Sequence, residues 1–207
     1  MVQQRLLDVA IDQFGRLGFE GASTRDIAGA AETAMSSITY HFGGKEGLYL
    51  ACADFIAEQI VKRLDPVFAD LCDPSALDRD QAIEQMLRIV DGFCGMMIDQ
   101  ASAPWARFIV REQQAPTEAF ERLWRGAMGP VLDSCSAVLA RIRPDMPPRE
   151  LRAMCMLVFG QTMVLRAGRA SVFKALEVDE FSAQDAAMLR ALLRRNTFAI
   201  LTAEMEP

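Results

Sequence analysis

Apolar residues recur at helical spacing from the start of the chain. Leu6, Leu7, Ala10, Ile11, Phe14 and Leu17 fall on one face between residues 3 and 18, which predicts an amphipathic helix. Gly15 and Gly18 loosen its end, and Gly18-Phe19-Glu20-Gly21 stops it. Ser23 then opens a second helix. Asp26 lies three residues on, so the pair resembles a capping box with Asp in place of Glu. Ile27, Ala28 and Ala31 face inward from that helix. After a turn at Glu32-Thr33, a third short helix is predicted over 34–41, stopped by Gly43-Gly44. A fourth, long helix begins at Lys45 and is predicted to end before Pro66.

The remaining pattern is also helical. Asp73-Pro74-Ser75 opens a segment carrying Ile83, Met86, Leu87, Val90, Phe93 and Met97. Pro104 and Pro116 bracket a shorter one. Residues 117–142 read as one helix kinked at Gly129-Pro130, and Pro147-Pro148 opens another that reaches about Leu176. Ser182, with Asp185 three residues on, caps a last helix ending near Glu204. No strand-like alternation occurs, and Ala, Leu, Met, Glu, Gln and Arg outnumber β-branched and aromatic residues. The expectation is an all-α fold of about nine helices. The expected division is a three-helix unit over residues 1–48 and a larger helical domain over 49–207.

Charge narrows the functional classes. The chain of 207 residues carries a net charge of −6, which counts against indiscriminate binding to phosphate backbones. A small local DNA-reading surface is compatible with it. The five cysteines are widely spaced with no CxxC, so they read as buried thiols in a reducing compartment, and no metal site is expected. The longest apolar run, 154–165, is too short for a membrane span, which needs about 20 residues. No signal-peptide layout precedes it. A cytoplasmic protein without cofactor or membrane partner is expected.

The third helix poses the sharpest question. At roughly 100° per residue, Ala34, Ile38 and His41 fall on one side, and Met35, Ser36, Thr39 and Tyr40 on the other. The outer side is polar and uncharged. Such a face suits the second helix of a helix-turn-helix entering a major groove. Hydroxyls exchange hydrogen bonds with base edges, and the methyl groups of Thr39 or Met35 pack on thymine methyls. Tyr40 reaches a phosphate, and Arg25 and Lys45 flank the unit as backbone clamps. The candidate DNA-contacting set is Ser23, Arg25, Met35, Ser36, Ser37, Thr39, Tyr40, His41 and Lys45. A plain three-helix packing unit with a polar outer face fits the same pattern. Residues 1–47 hold four basic residues against six acidic ones, a difference of −2, so charge does not choose between them.

Residues 5–55 resemble the DNA-binding domain of the TetR family of bacterial regulators. The resemblance rests on Leu7, Ala10, Phe14, Gly18, Ser23, Arg25-Asp26-Ile27-Ala28, Ala31, Ile38, Tyr40-His41-Phe42, Lys45-Glu46 and Leu48. "ITYHFGGKEGLY" and "FIVREQQAPTEAFERLW" are similar to the branch that includes CecR. The sequence departs from the family at three places. Glu32 stands where the turn usually has Gly, Ala34 where a Ser usually caps the recognition helix, and Gly44 where Ser is frequent. Glu32 is expected to be strained by ~1 kcal/mol or more, and a missing cap costs about 1 kcal/mol.

The resemblance implies a helix-turn-helix DNA-binding domain over 1–48 and a helical ligand-binding and dimerisation domain over 49–207, in a homodimer that binds a palindromic double-stranded DNA operator and answers to a small-molecule effector, partly apolar in character. Repression is the family habit. The residues add support of their own. Residues 151–166 are apolar almost all round, as a helix buried on every side must be, and the last helix adds further apolar positions. Met156, Phe159, Met163, Leu189, Leu192 and Phe198 are the candidate dimerisation residues, although an ordinary monomer core accounts for the same pattern. Phe93, Met97, Trp105, Phe108, Arg111, Trp124, Met128 and Gln161 are the candidate effector-binding residues. Methionine adapts to ligand shape, and buried polar groups need partners that a ligand can supply. Core packing and a structural Arg–Glu pair are the plainer readings. Two other classes compete. An enzyme is disfavoured by a single histidine, His41, and by the lack of a nucleophile–base spacing or phosphate loop. An interaction protein of TetR-like fold that has lost DNA binding is suggested by Glu32, Ala34 and the negative N-terminal charge.

Overall fold

The computed structural model describes residues 2–203. The predicted end of the last helix at Glu204, and the outermost residues of both predicted domains, lie outside the described residues. Among the described residues the fold is all-α, with no strand. Eleven α-helical segments follow one another: α1 Val2–Gly21, α2 Thr24–Ala30, α3 Met35–Phe42, α4 Lys45–Ala69, α5 Arg79–Ile98, α6 Ala103–Gln114, α7 Glu118–Leu123, α8 Gly129–Ile142, α9 Pro148–Ala167, α10 Arg169–Leu176 and α11 Ala183–Thr202. A π-helical turn, Trp124–Met128, fuses α7 to α8 into one run. The count therefore exceeds expectation at one place. The helix predicted to reach Leu176 breaks at Gly168, which closes α9 and starts α10.

Three local differences have physical causes. α1 continues to Gly21 through an interruption at Gly18, whose φ of 77° and ψ of 175° lie in a region essentially reserved for glycine. A Cβ there would meet Arg111 Nη1 at 3.0 Å. α4 runs through Pro66 to Ala69; so close to the helix end the proline removes only one backbone hydrogen bond. The 117–142 run departs from α geometry at Trp124–Met128, just ahead of Gly129-Pro130.

The helices cluster into two units. The first comprises the chain up to Val61 together with Ala101–Gly129; the second comprises Lys62–Gln100 and the chain from Pro130 onward. The grouping by contact thus places α6 and α7 with the N-terminal helices, whereas the sequence division runs at residue 48. In the first unit α1 packs on α6 and α2, and α2 on α3. Leu6, Ala10, Phe14, Ile27, Ile38, Leu48, Phe108 and Leu123 form its buried core. In the second unit α5 packs on α9 and α11, and α10 on α9. Cys94, Leu165 and Leu193 centre a cluster there, with Met97 and Leu189 packed against it. The C-terminal carbonyls of α5 would otherwise be orphaned. Arg169 donates to the carbonyls of Met97 and Ile98 at 3.0 and 2.6 Å, and Arg166 donates to that of Asp99. No helix among the described residues is long and apolar enough to cross a membrane.

Candidate nucleic-acid interface

α2 and α3 form the turn-linked pair. The Ser23 side chain accepts from the Asp26 N–H at 3.4 Å and caps α2. Ala31 closes α2, and Glu32 makes the turn at φ 49°, a left-handed conformation for a residue with a Cβ. Arg5 holds that turn from α1, with Nη2 donating to the Glu32 carbonyl at 3.4 Å and Nη1 3.7 Å from its carboxylate. α3 starts at Ala34 without a side-chain cap and ends at Gly43, which is left-handed at φ 77°. Thr33 and Ser37 join hydroxyls at 3.1 Å and bind the turn to the first turn of α3.

α3 presents the face its spacing predicts. Ile38 is buried, while Met35, Ser36, Thr39 and Tyr40 are exposed, Tyr40 at 83%. Ala34, placed inward by periodicity, is exposed; as the N-cap, with φ −73° and ψ 143°, it precedes the helix and does not follow its period. Ser37 is half-buried and engaged with Thr33. His41 is half-buried, with Nδ1 3.2 Å from Gln3 Nε2 of α1. That bond uses Nδ1 as acceptor and leaves the other ring nitrogen for an outside partner. Arg25 is exposed near the start of α2 and has no acidic partner among the described residues. Lys45 donates to the Glu20 carbonyl at 3.3 Å and lies over the Phe19 ring at 4.7 Å, so two of its three N–H donors stay available. The structure therefore brings the nine candidate DNA-contacting residues together on α2, α3 and the start of α4. Ser23 and Ser37 are engaged locally.

The sequence reading missed the node behind this surface. Tyr49 of α4 packs edge-on against Phe14 and Phe19 of α1, with centroids at 4.8 and 5.1 Å, and against Phe108 of α6 at 4.7 Å. Its hydroxyl donates to buried Glu112 at 2.5 Å. Burial, then the bond to Glu112, push the Tyr49 hydroxyl well above the usual tyrosine range. The other Glu112 oxygen accepts from the Thr117 N–H and hydroxyl and the Phe120 N–H, at 3.0, 2.9 and 3.0 Å. A buried carboxylate thus caps α7 and ties it to α4. In the sequence Glu112 stands beside Arg111, which suggests a local Arg–Glu pair and gives no hint of its distant partner Tyr49.

Family comparison agrees with this geometry. Residues 6–52 match the model of bacterial regulatory proteins of the tetR family. Residues 82–204, more than half of the chain, match the C-terminal domain of the HTH-type transcriptional dual regulator CecR. The chain belongs to the TetR family, in its CecR-like branch. CecR of Shigella flexneri is 32% identical over 142 residues, covering 67% of this chain and 63% of that protein. The transcriptional regulatory protein RaaS of Mycobacterium tuberculosis is 35% identical over 121 residues, covering 58% of this chain and 49% of that protein. The chain therefore spans about half to two-thirds of these relatives' lengths. A transcriptional regulator from Rhodococcus sp. Rha1 has the same fold, with a TM-score of 0.68 at 20% identity and 100% coverage of both chains. Relatives and family are regulators, not enzymes.

The other candidate sets of this TetR-family chain fall as follows. Trp105, Phe108, Arg111, Trp124 and Met128 lie in the first unit; Phe93, Met97 and Gln161 lie in the second. Phe108 is buried in core packing against Tyr49. Arg111 finds its partners inside the chain, donating to the carbonyls of Gly15 and Arg16 at 3.4 and 3.1 Å. Trp124 faces Phe120, and Met128 sulfur accepts from Gln113 at 3.9 Å. Phe93 stacks on Phe159 at 4.6 Å, and Gln161 donates to the Val158 carbonyl of its own helix at 3.4 Å. Of the dimerisation set, Met156, Met163, Leu192 and Phe198 are exposed, Leu189 is half-buried and Phe159 is buried. Phe159 belongs to the core because its ring fills the space beside Phe93. Sequence missed Leu157 and Val164, exposed on the same face of α9, because an all-round apolar pattern hides which half is free.

Proposed function

We propose that this chain is a ligand-responsive transcription regulator, a repressor that binds a palindromic operator as a homodimer and is released by a small molecule. The observation that carries DNA reading is the uncharged outer face of α3, with Tyr40 at 83% exposure between Thr39 and the half-buried His41. An aromatic so exposed, on a short helix held by a helix-turn-helix, fits contact with an outside surface. Thr39, Ser36 and Met35 read bases; Tyr40, Arg25 and Lys45 hold phosphates. Support for the dimer comes from α9 and α11, which carry exposed apolar residues at helical spacing: Met156, Leu157, Met163 and Val164 on one, Met188, Leu192 and Ile200 on the other. Two recognition helices then address major-groove faces about 34–36 Å apart. The effector acts by its differential affinity for the DNA-competent and released states, and α4 is the element whose movement changes the spacing.

The test is selection of bound fragments from genomic DNA by the purified chain, then a salt titration on the best fragment. A palindromic site with a steep loss of affinity as salt rises is the expected result. Tyr40→Ala and Lys45→Ala each weaken binding without altering the dimer, whereas Thr39→Ala changes base preference. Undiminished affinity in both of the first two variants refutes the contact assignment. No enriched site, from a folded dimer, favours an interaction protein that has lost DNA binding.

A further inference from the structure

A groove runs between α5 and α11 inside the second unit, and none of the residues assigned to DNA reading lines it. Ile83 and Leu87 line it from α5, and Ala191 and Phe198 from α11. Phe198, a candidate dimerisation residue by sequence, lies about 120° around α11 from Leu192 and lines this groove. Phe198 is 51% exposed. The groove has a volume of about 730 Å³, which falls within the roughly 300–1,000 Å³ of small-molecule sites. At 1.5 Å per residue its lining runs roughly 12 Å along α5 and 16 Å along α11. An elongated apolar body suits this shape.

The charges say what such a body carries. Arg194 spans the groove and is neutralised by Glu84 at 2.6 Å. Arg79 donates through Nε to the Ile142 carbonyl at 3.4 Å, which leaves its terminal nitrogens free to serve a ligand. Arg195 has no acidic partner within ion-pair distance among the described residues. Asp80 is the remaining acid, so Arg79 and Arg195 against Asp80 leave +1 in a chain whose net charge is −6. A monoanion fits. A dianion such as phosphate exceeds that +1 and meets the Asp80 carboxylate, and a cation meets the guanidiniums of Arg79 and Arg195. The Thr202 hydroxyl is already engaged with the Phe198 carbonyl at 2.8 Å.

We propose that the α5–α11 groove binds one amphipathic monoanion per chain, an alkyl carboxylate whose chain lies over Ile83, Leu87 and Phe198 and whose carboxylate meets Arg195 and Arg79. The driving force is apolar burial, and the guanidiniums set polarity and orientation. This goes beyond operator binding and does not depend on it.

Isothermal titration of the full chain with decanoate, below its micelle concentration and without DNA, tests the site. One decanoate per chain is expected, with decan-1-ol and a decyltrimethylammonium salt bound about tenfold or more weakly, as loss of a charge-assisted hydrogen bond predicts. Arg195→Gln weakens decanoate about tenfold. Ala191→Trp, at an exposed position, fills the groove and abolishes binding while leaving the thermal melt unchanged. Equal binding of the alcohol, wild-type affinity in Ala191→Trp, or no decanoate binding overturns the proposal. Conversion of a dimer to a monomer by Ala191→Trp also overturns it, because the groove is then covered by a second copy. Decanoate binding by a chain that selects no DNA leaves this site standing and the operator reading fallen.

Discussion

Glu32 shows how one backbone angle can be read from sequence and then tested. Its φ of 49° carries the strain that a Cβ meets in the left-handed region. Arg5 compensates through the backbone carbonyl, a bond that a glycine keeps. The Arg5–Glu32 ion pair is 3.7 Å long between side chains 52% and 85% exposed, so its loss costs little. Glu32→Gly is therefore expected to stabilise the fold by about 0.5–1 kcal/mol, read as a higher midpoint in urea; a lower midpoint refutes the strain argument. The cysteines make a second case. Cys52, Cys94, Cys135 and Cys155 are buried and Cys72 is exposed, so the native protein is expected to offer one thiol to Ellman's reagent at pH 8 and all five after denaturation. Burial pushes the Cys94 thiol up from 9.0 to about 11, and raises Cys52, Cys135 and Cys155 as well. A raised folded value favours the neutral form. That stabilisation is whole below the unfolded value of 9.0 and is lost as pH rises through about 11 for Cys94. Thermal midpoints should fall across that window, and a Cys94→Ala chain should lose part of the fall. The turn and four of the five thiols were legible because a turn position and an apolar helical slot are local facts; Cys72, expected to be buried, is exposed because it follows the end of α4 at Ala69 and lies in no helix. Arg111 was not legible: its partners are carbonyls exposed by the Gly18 interruption of α1, 95 and 96 residues earlier.

Helices were more legible than their ends. α1, α2, α3 and α11 start where capping residues or periodicity place them, because a cap is a local bond between neighbours. Ends set by tertiary packing were not visible. Gly168 divides α9 from α10 although the apolar pattern runs on, and α4 passes Pro66 because only one hydrogen bond is lost there. The start of α7 depends on a side chain from another helix. Thr117 begins the cap, and Glu112 of α6 supplies the acceptor for two of the orphan N–H groups. Tyr49→Phe removes one donor from a buried carboxylate and is expected to cost about 1–2 kcal/mol. Glu112→Ala leaves the Tyr49 hydroxyl and the α7 donors without an acceptor at once, and should cost about 3 kcal/mol or more. Urea unfolding of the two single variants and the double variant checks this. The cost of Tyr49→Phe should largely vanish in the Glu112→Ala background. If the two costs simply add, the node is not a coupled unit.

The DNA reading asks for a pair of chains, and the sequence does not say through which surface they would meet. A recognition helix of eight residues, Met35–Phe42, offers too few base contacts to specify a site alone, so a symmetric pair follows from the DNA reading itself. The apolar pattern of 151–166 could not say which positions serve the core and which remain free. The fold separates them: Cys155, Val158, Phe159 and Leu165 are buried, while Met156, Leu157, Met163 and Val164 are exposed, Leu157 at 76%. Such a stripe, continued by Met188, Leu192 and Ile200 on α11, is costly to leave in water and suits an isologous four-helix contact. Leu157→Glu combined with Val164→Glu places charges where two copies of α9 would meet, yet disturbs nothing inside one chain. The expected outcome is a folded monomer by sedimentation, with an unchanged helical circular dichroism spectrum. Operator affinity should fall by more than the loss of one half-site's contacts, because the linked second half-site no longer binds at high effective concentration. A variant that stays dimeric places the interface elsewhere. A monomer that keeps full operator affinity removes the need for two recognition helices.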